Sequence, residues 1–482
     1  MRSKLIRPSL ALFALATLLG AGAQTDRVAW LEQHAVPIAT IDPAVEDFSD
    51  LEPLVDAIGD ATIVQLGESS HGAGATFSGK VRLIKFLHQR MGFDVVVWES
   101  GMYDLSKTNA ALRDGDDPIA AGRLGVFGIW SGVEEVAPLW EYAAASWSGD
   151  RPLEMAGYDM QFSGSAGSGY FDELAEFVAA VDDEELAQRT TALVATADAG
   201  YEGFGAFNTA RWEEVARLRD AGVTGEEQSA ALAEWGEANR ARLSPTSADL
   251  DVYRTALDEL LELLDNPAFA DAHSAVDLDF MRHTVINARG FGTSIYERSA
   301  IDAPTEGPEQ LVWQNRGWNR RDTRNADIMR WFVEERYAGR KVIIWAHNGH
   351  IMNAYYKHDW TELIQEPQLD GMKPVGVFLD EMYGDDVYTI GFTAYEGSAP
   401  FGGGGEVVGP APEGSLEHAL HTLGHPHAFL DFRQLDDQPN HWRRQPSTMA
   451  IRGYMPEELP DWTRVVDAMF FNDVMTPSQR IQ

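Results

Sequence analysis

Residues 62–72 read TIVQLGESSHG, a mostly apolar run that ends at a glycine and continues as a polar turn. Apolar residues then repeat at helical spacing from Val81 to Met91, and Gly92 follows as a predicted helix C-cap. A second apolar run, Asp94–Trp98, comes directly afterwards. A strand, a helix and a strand in this order predict a parallel sheet with helices on its faces.

Further strands are predicted on both sides of a long helical region. Between residues 169 and 290 the strand patterns disappear, and segments rich in Ala, Glu, Leu and Arg take their place. One apolar helix face runs from Tyr253 to Leu264, and Thr224 with Glu227 has the spacing of a capping box. We therefore expect an α/β fold with a mostly parallel central sheet, flanked by helices, and a large all-helical insertion. The further predicted strands are residues 153–158, 341–346, 388–393, 428–432 and 468–471.

The chain divides into four parts. Residues 1–23 are predicted to be a signal peptide, because a basic start precedes an apolar run and Ala21–Ala23 fits a signal-peptidase site. Residues 24–168 and 291–482 are the two parts of the predicted α/β catalytic core, and residues 169–290 are the helical insertion. We expect a periplasmic or secreted protein that has no membrane contact after signal cleavage.

The composition excludes several classes of function. The chain has 482 residues, with 38 Lys and Arg against 75 Asp and Glu, and a formal net charge of −37 at pH 7. This negative charge argues against a nucleic-acid partner, because phosphate binding needs a basic surface. The chain has no Cys, so disulfides, thiolate metal sites and a cysteine nucleophile are excluded.

The turn after the first strand carries the first candidate site. Glu68 and His71 are three residues apart in this turn, and ligands of parallel α/β sheets bind at the carboxyl ends of the strands. Histidine is the natural general base near neutral pH, and a neighbouring carboxylate fixes its tautomer and raises its basicity. A structural interpretation stays open, in which Glu68 caps the following helix and His71 only forms hydrogen bonds with backbone groups of the loop.

A second polar group follows the strand at residues 341–346. His347, Asn348 and His350 stand there, and Glu99 stands at the end of the strand that begins near residue 94. Two such groups after two separate strands favour one catalytic site, with Glu99 as a third contributor on the same rim. The structural alternative for Glu99 is a buried carboxylate that pairs with a loop arginine.

Two familiar motifs are incomplete in this chain. Gly74 to Lys80 has the GxxxxGK spacing of a phosphate-binding loop, but Val81 stands where a magnesium-binding Ser or Thr is needed. Ser69 lies at the centre of a turn like a nucleophile elbow, but His71 occupies the place of the second glycine. We therefore expect neither a nucleotide site nor a serine nucleophile.

Together these motifs resemble the erythromycin esterase family. The resemblance spans about residues 45 to 475 in one order, and its two histidine segments make it fairly specific. The segments that carry it are Gly67–Gly72, Phe93–Glu99, Gly157–Met160, Arg321–Asp322 with Met329, Ile344–His350, Pro410–Pro412 with Ser415 and Glu417, Phe429–Arg433 and Val466–Phe471.

The resemblance implies a metal-independent hydrolase that opens a macrolide lactone with water. Glu68 and His71 match the first catalytic pair of the family, with His71 as the base. His347 and His350 match its second pair. A functional arginine of the family falls at Lys80, where lysine keeps the charge for substrate binding but loses the planar fork. No cofactor is expected, and the expected partner is a small-molecule ester.

The mechanism that follows needs no covalent intermediate. His71, oriented by Glu68, takes a proton from the water that attacks the ester carbonyl. Lys80, His347 or His350 then stabilises the oxyanion.

Two alternatives stay open. In the first, the four residues of the two pairs bind one divalent metal ion, for which histidine and carboxylate are suitable ligands. In the second, the chain is a non-catalytic exported protein that binds a haem-like small molecule, as relatives of the fold do. The first predicts activity that a chelator removes, and the second predicts ligand retention without turnover.

Overall fold

The computed structural model describes most of the chain. The predicted signal peptide, residues 1–23, lies outside the described residues and stays a prediction. The described residues are 27–299, 307–357, 363–364, 371–400, 407–433, 447–451, 453–454, 456–459 and 461–481.

The described strands form one large sheet and two small ones. The large sheet has nine strands in the order β1-β11-β14-β9-β2-β5-β3-β4, with β10 on β9, and the small sheets are β12-β13 and β7-β6-β8. The strands are β1 (Val36–Ile38), β2 (Ile63–Leu66), β3 (Phe93–Gly101), β4 (Glu154–Asp159), β5 (Lys341–Trp345), β6 (Tyr355–Lys357), β7 (Leu363–Ile364), β8 (Gly371–Met372), β9 (Val387–Ser398), β10 (Val407–Val408), β11 (His427–Asp431), β12 (Ser447–Met449), β13 (Glu457–Leu459) and β14 (Ala468–Met475).

The large sheet is mostly parallel. Strands β14, β9, β2, β5, β3 and β4 run in one direction, whereas β11 is antiparallel to its neighbours β1 and β14. All four residues of β2 are buried, and only the first residue of β5 is partly exposed. Strands covered on both faces read as continuous apolar runs. The fold class expected from the sequence is therefore confirmed, and each predicted strand corresponds to an observed one.

The helices surround this sheet and form the region between β4 and β5. They are α1 (27–34), α2 (Pro53–Ile58), α3 (Gly74–Phe86), α4 (Met102–Asp114), α5 (Pro118–Gly125), α6 (Gly128–Ser131), α7 (Ala137–Ser146), α8 (Tyr170–Ala179), α9 (Glu184–Asp220), α10 (Gly225–Leu243), α11 (Ser247–Leu263), α12 (Pro267–Ala272), α13 (Ala275–Ser299), α14 (Gly307–Trp331), α15 (Asn348–Ile351), α16 (Val375–Tyr383) and α17 (Leu416–His421).

Alternate residues of the central strands pack into two separate cores. Val64 and Leu66 of β2 share one apolar cluster with residues of α3, whereas Ile63 lies in another cluster with residues of α14 and α16. The GxxxxGK segment is part of α3 and is not a phosphate-binding loop. After a turn of π-helix, Leu87–Met91, the chain reverses at Gly92, whose φ of 79° is left-handed and favours glycine.

The region between β4 and β5 is helical throughout its described part. The apolar face of α11 is buried from Tyr253 to Leu264, as the periodicity predicts. The predicted capping box at Thr224 is wrong: its side chain makes no capping hydrogen bond, because Gly225 follows with a non-helical φ of 65°. A capping box forms instead between Thr246 and Asp249 at the start of α11.

The predicted domain division stays a prediction, but its second boundary falls inside a helix. Helix α13 passes residue 290 without interruption, and a Cβ added at Gly290 would lie 3.1 Å from Sδ of Met160. This glycine therefore marks a close packing contact and does not break the helix. In the described part of the chain, no helix is both long enough and apolar enough to span a bilayer.

Candidate active site

The carboxyl ends of four adjacent parallel strands bring the predicted residues to one edge of the sheet. Strand β5 lies between β2 and β3, and β4 lies beyond β3. Glu68 follows β2, His347 follows β5, and Glu99 lies near the end of β3. The six predicted site residues form one chain of contacts, namely Lys80, Glu68, His71, His347, Glu99 and His350.

Glu68 is a fully buried carboxylate with three hydrogen-bond donors. Its Oε1 accepts from Nδ1 of His71 at 2.8 Å and from Nε1 of Trp130 at 2.9 Å. Its Oε2 accepts from Nζ of Lys80 at 2.9 Å. Burial raises the pKa of Glu68, but the Lys80 ammonium and the hydrogen bonds outweigh burial and lower that pKa overall. Glu68 is therefore an anion, and the proton of His71 lies on Nδ1.

Lys80 holds Glu68 from the buried side of the site. Its ammonium also donates to O of Ala346 at 3.2 Å and lies 4.1 Å from the ring centre of Trp345. Burial lowers the pKa of Lys80 to about 8, and the attraction of Glu68 opposes a larger fall. The predicted role of Lys80 in substrate binding stays a prediction; these contacts make it the counter-ion of Glu68.

His347 is a neutral ring with both nitrogens in contact with the backbone. Its Nδ1 accepts from N of Gly349 at 2.9 Å, so the proton lies on Nε2, which is 3.2 Å from O of Ser69. Burial, with a smaller effect of nearby His71, lowers the pKa of His347 to about 3. The two rings lie 5.1 Å apart between centres. His347 therefore packs beside His71 without exchanging a proton with it.

His350 lies between two carboxylates. Its Nδ1 is 2.9 Å from Oδ2 of Asp322, and its Nε2 is 3.1 Å from Oε1 of Glu99. Trp318 stacks on the ring with 4.4 Å between centres. Burial lowers the pKa of His350, but Asp322 and Glu99 outweigh burial and raise that pKa to about 10. The ring is therefore a buried cation at neutral pH.

Arg321 is a second cation beside His350. It pairs with Asp159 through Nε and Nη2, and Nη2 lies 3.0 Å from Oε1 of Glu99. Its Nη1 is 3.2 Å from Nε2 of His350, and Oε1 of Glu99 contacts both groups. Burial lowers the pKa of Arg321, but Asp159 and Glu99 raise it well above its usual range. The site therefore nearly balances its charges, which offsets much of the cost of burying them.

Asn348 joins the turn after β5 to the turn after β2, because its backbone N donates to O of Glu68 at 2.8 Å. Its side chain also holds the turn to β9 and to Ile451. Its Nδ2 donates to O of Ile451 at 2.6 Å and to O of Phe392 at 2.9 Å, and its Oδ1 accepts from N of Phe392 at 3.2 Å. A Cβ added at Gly67 would lie 1.9 Å from this Oδ1, so only glycine fits at the start of the first turn.

Both serines of the first turn donate to main-chain oxygens. Ser69 donates to O of Phe392 at 2.6 Å, and Ser70 donates to O of Ala399 at 3.2 Å. Both side chains are buried. Neither hydroxyl is positioned as a nucleophile in this arrangement.

A cavity of about 230 Å³ borders the second half of the site. Its walls include Arg321 and Trp318, and they continue onto the aromatic rings of Phe291 and Trp313. His71 lies outside these walls, but 22% of its side chain is exposed, so a ligand can reach its ring. The cavity places an apolar surface directly beside the Arg321 guanidinium.

Five residues of the site were not among those predicted. The signal for Asp322 was present: Asp322, Ala326 and Met329 are buried at core-facing helical spacing, and a carboxylate at such a position needs a buried partner. Trp130 and Trp318 gave no signal, because a single tryptophan in a helix reads as an ordinary core residue. The five residues are Trp130, Asp159, Trp318, Arg321 and Asp322.

Comparison with known proteins identifies the family of the chain. The model of the family described as erythromycin esterase matches residues 88–471, well over half of the chain. The chain belongs to the erythromycin esterase family. The name of the family indicates hydrolysis of an ester.

Similar proteins cover nearly the full chain. A Bacillus subtilis (strain 168) protein named "Putative hydrolase YbfO" is 27% identical over 441 residues, which are 89% of this chain and 87% of that protein. Erythromycin esterase type II of Escherichia coli is 21% identical over 421 residues, 85% of this chain and 89% of that enzyme. A crystallised mutant of the erythromycin esterase EreC in its open conformation has a TM-score of 0.59 at 18% identity, over 92% of this chain and 98% of that one. The structural likeness shows a shared fold.

Proposed function

We propose that the protein hydrolyses a macrolide lactone, or a related ester, with a water molecule that His71 activates. The observation that carries the proposal is the buried Glu68 carboxylate, which holds Nδ1 of His71 at 2.8 Å. Membership of the erythromycin esterase family supports a hydrolase, and the name of the Escherichia coli relative supports erythromycin-like substrates.

The Glu68–His71 pair supports general-base chemistry. With the proton on Nδ1, the lone pair of the ring lies on Nε2, which is the nitrogen that takes a proton from water. Glu68 then stabilises the imidazolium that forms. When the ester C–O bond breaks, the imidazolium gives its proton to the leaving alkoxide and the neutral base is restored. Lys80 keeps Glu68 ionised, so the pair acts as a base rather than sharing a proton in the resting state.

The positive charge for the oxyanion comes from the second half of the site. Arg321 lines the cavity, and His350 lies against it as a buried cation. A fixed cation beside the carbonyl stabilises the negative charge that develops when water attacks. Of the three groups that the sequence suggested for this role, His350 is supported, whereas the side-chain nitrogens of Lys80 and His347 make their hydrogen bonds with Glu68 and the backbone.

The arrangement does not support a serine acyl-enzyme or a shared metal ion. Ser69 and Ser70 donate to backbone oxygens. Among the residues that the structure describes, no three His, Asp or Glu side chains are grouped to hold a metal ion. The Lys80 ammonium on Glu68 and the backbone contacts of His347 occupy groups that a metal would need.

The decisive experiment is mass spectrometry of a panel of macrolides and simple esters incubated with the protein. Wild type should add one water to at least one member of the panel. His71→Ala should lower the rate by roughly a hundredfold or more, since general-base catalysis contributes about 10²–10⁴. His425→Ala, in a turn outside the site, is the matched control and should keep full activity.

Three outcomes would overturn parts of the proposal. No added water on any ester would rule out the hydrolase. An acyl adduct on the intact protein would replace water attack by covalent catalysis. Activity that a chelator removes and added zinc restores would establish the metal-dependent alternative.

We also infer that the mature protein starts after residue 23 and is exported. The basic and apolar pattern of residues 1–23 supports this inference. Expression of the full chain in a Gram-negative host, followed by fractionation and N-terminal sequencing, should give periplasmic protein that starts at Gln24. Protein that starts at Met1 in the cytoplasm would contradict it.

A further inference from the structure

The last described residues of the chain lie against two turns that flank the Glu68–His71 pair. The segment Thr476–Ile481, here called the C-terminal strap, makes an isolated antiparallel bridge with each turn. Pro477 pairs with Ala73 and Arg480 pairs with Val133. The strap therefore connects two parts of the chain that are distant in sequence.

The first end of the strap holds the turn that carries His71. N of Gly74 donates to O of Thr476 at 2.8 Å, and N of Ser478 donates to O of Gly72 at 2.9 Å. A Cβ added at Gly74 would lie 2.7 Å from O of Pro477, so the two backbones approach closely. These bonds fix the residues directly after His71.

The second end holds the turn around α6, which carries Trp130. N of Glu134 donates to O of Gln479 at 2.8 Å, and N of Ile481 donates to O of Gly132 at 3.0 Å. The guanidinium of Arg480 donates to O of Gly128, the first residue of α6. The last of these bonds reaches helix α6 itself, and the other two hold the residues directly after it.

The two turns meet at one oxygen of Glu68. Oε1 accepts from Nδ1 of His71 on the first turn and from Nε1 of Trp130 on the second. The Trp130 ring also packs edge-on against the His71 ring, with 5.3 Å between centres. Trp130 is buried, and the strap forms backbone bonds both with the turn that carries it and with the turn that carries His71.

We propose that the C-terminal strap and Trp130 are positioning elements of the catalytic pair. The strap sets the distance between the two turns, and Trp130 passes that constraint to Glu68 through its indole N–H. The proposal rests on the function proposed above, in which Glu68 and His71 act on water. Small displacements at such a pair reduce the rate of the chemical step more than substrate binding.

Proline substitutions test the strap one bond at a time, because proline removes a backbone N–H. Ser478→Pro removes the donor to Gly72, and Ile481→Pro removes the donor to Gly132. Each should lower kcat by roughly tenfold and leave KM within about twofold. Ser478→Ala and Ile481→Ala keep the N–H groups and are the matched controls, with kcat near wild type.

A double-mutant cycle tests the route through Trp130. Trp130→Phe keeps a ring but removes the donor to Glu68, so it should also lower kcat. In the double variant with Ile481→Pro, the increase in activation free energy should be smaller than the sum of the increases in the two single variants, because both changes act on the same hydrogen bond. Full additivity would overturn this route, and wild-type kcat in both proline variants would overturn the proposal.

Two further measurements keep the proposal testable if a proline variant does not fold or no ester is turned over. Arg480→Ala removes only the exposed hydrogen bond from Arg480 to O of Gly128. If the proline variants do not fold, this variant must lower kcat at unchanged KM for the proposal to stand. Hydrogen exchange needs no substrate: Ser478→Pro should speed exchange at Gly74 and across residues 128–135, relative to Ser478→Ala. Faster exchange at both turns in a protein without esterase activity would reject the proposed function but support the structural role of the strap. Unchanged exchange across residues 128–135 would reject that role.

Discussion

The buried charge of His350 should make the protein less stable as the pH rises through the alkaline range. The flanking carboxylates of Asp322 and Glu99 raise the pKa of His350 from 6.5 to about 10 in the folded chain. In the unfolded chain the ring titrates near its ordinary value of about 6.5. The stabilisation is therefore fully present below pH 6.5 and is lost between pH 6.5 and about 10.

The size of the effect follows from the two pKa values. Each pKa unit is about 1.4 kcal/mol of differential interaction, so the change from 6.5 to about 10 corresponds to an upper value of roughly 5 kcal/mol. Lys80 works in the opposite direction above pH 8, because its folded-state pKa is lowered to about 8 and the unfolded chain then binds more protons. A comparison of variants is needed to isolate His350.

The assay is urea unfolding of wild type and His350→Gln at several pH values from 6 to 10. The variant keeps Lys80, so the difference between the two curves reports the titration of His350. This difference should shrink by a few kcal/mol as the pH rises. His427→Gln is the control, because burial lowers the pKa of His427, so its titration does not extend into the alkaline range.

Parallel curves for wild type and His350→Gln above pH 6.5 would refute the reasoning. The ring would then be neutral, and Nη1 of Arg321 would donate to Nε2 of His350 instead of sharing Glu99 with it. Ring ¹⁵N chemical shifts of His350 at pH 8 give the same answer independently, since a doubly protonated ring and a neutral ring differ clearly.

Three further predictions concern the Lys80–Glu68 ion pair, the turn that carries Asn348 and the cap of helix α11. Lys80→Met should cost about 3–5 kcal/mol of unfolding free energy by leaving a buried charge, and adding Glu68→Gln should recover part of it; equal stability of Lys80→Met and wild type in urea would contradict the pair. Asn348→Ala should cost about 2–3 kcal/mol in the same assay, because it leaves buried backbone groups unpaired. Thr246→Ala should cost about 1 kcal/mol in thermal unfolding, whereas Thr224→Ala should change stability by less than about 0.5 kcal/mol, since only Thr246 caps a helix; equal effects would contradict this difference.

The sequence was most informative about the central strands. Segments such as 341–346 are buried on both faces, so their apolar runs stand out from the helical pattern. No such run marks the short strands, and they were not predicted. Examples are β1, with Pro37 at its centre, and the pair β12-β13. The order of the strands could not be predicted from local sequence patterns either, because the position of β5 between β2 and β3 depends on contacts across the whole chain.

The site residues that lie close to the ends of strands could be predicted from the sequence, whereas those that lie on helices could not. Glu68, His71 and His347 lie two to five residues after their strands, and the rule for parallel sheets placed them together. Trp130 and Asp322 reach the same site from helices, and nothing in the residues around them names Glu68 or His350 as a partner. Only the folded chain shows that Trp130 donates to the Glu68 carboxylate.

The position of β5 also determines when the site can form during folding. Strands β2 and β3 leave the ribosome early but are not neighbours in the sheet, and the space between them is filled only when β5 arrives after the whole helical insertion. Contacts of such large sequence separation form slowly, since the closure of a long loop must be overcome first. A nascent chain that ends before Lys341 carries Glu68 and His71 without β5 or β9, so both edges of β2 and one edge of β3 are unpaired. The candidate site is therefore among the last parts of the fold that the growing chain can assemble.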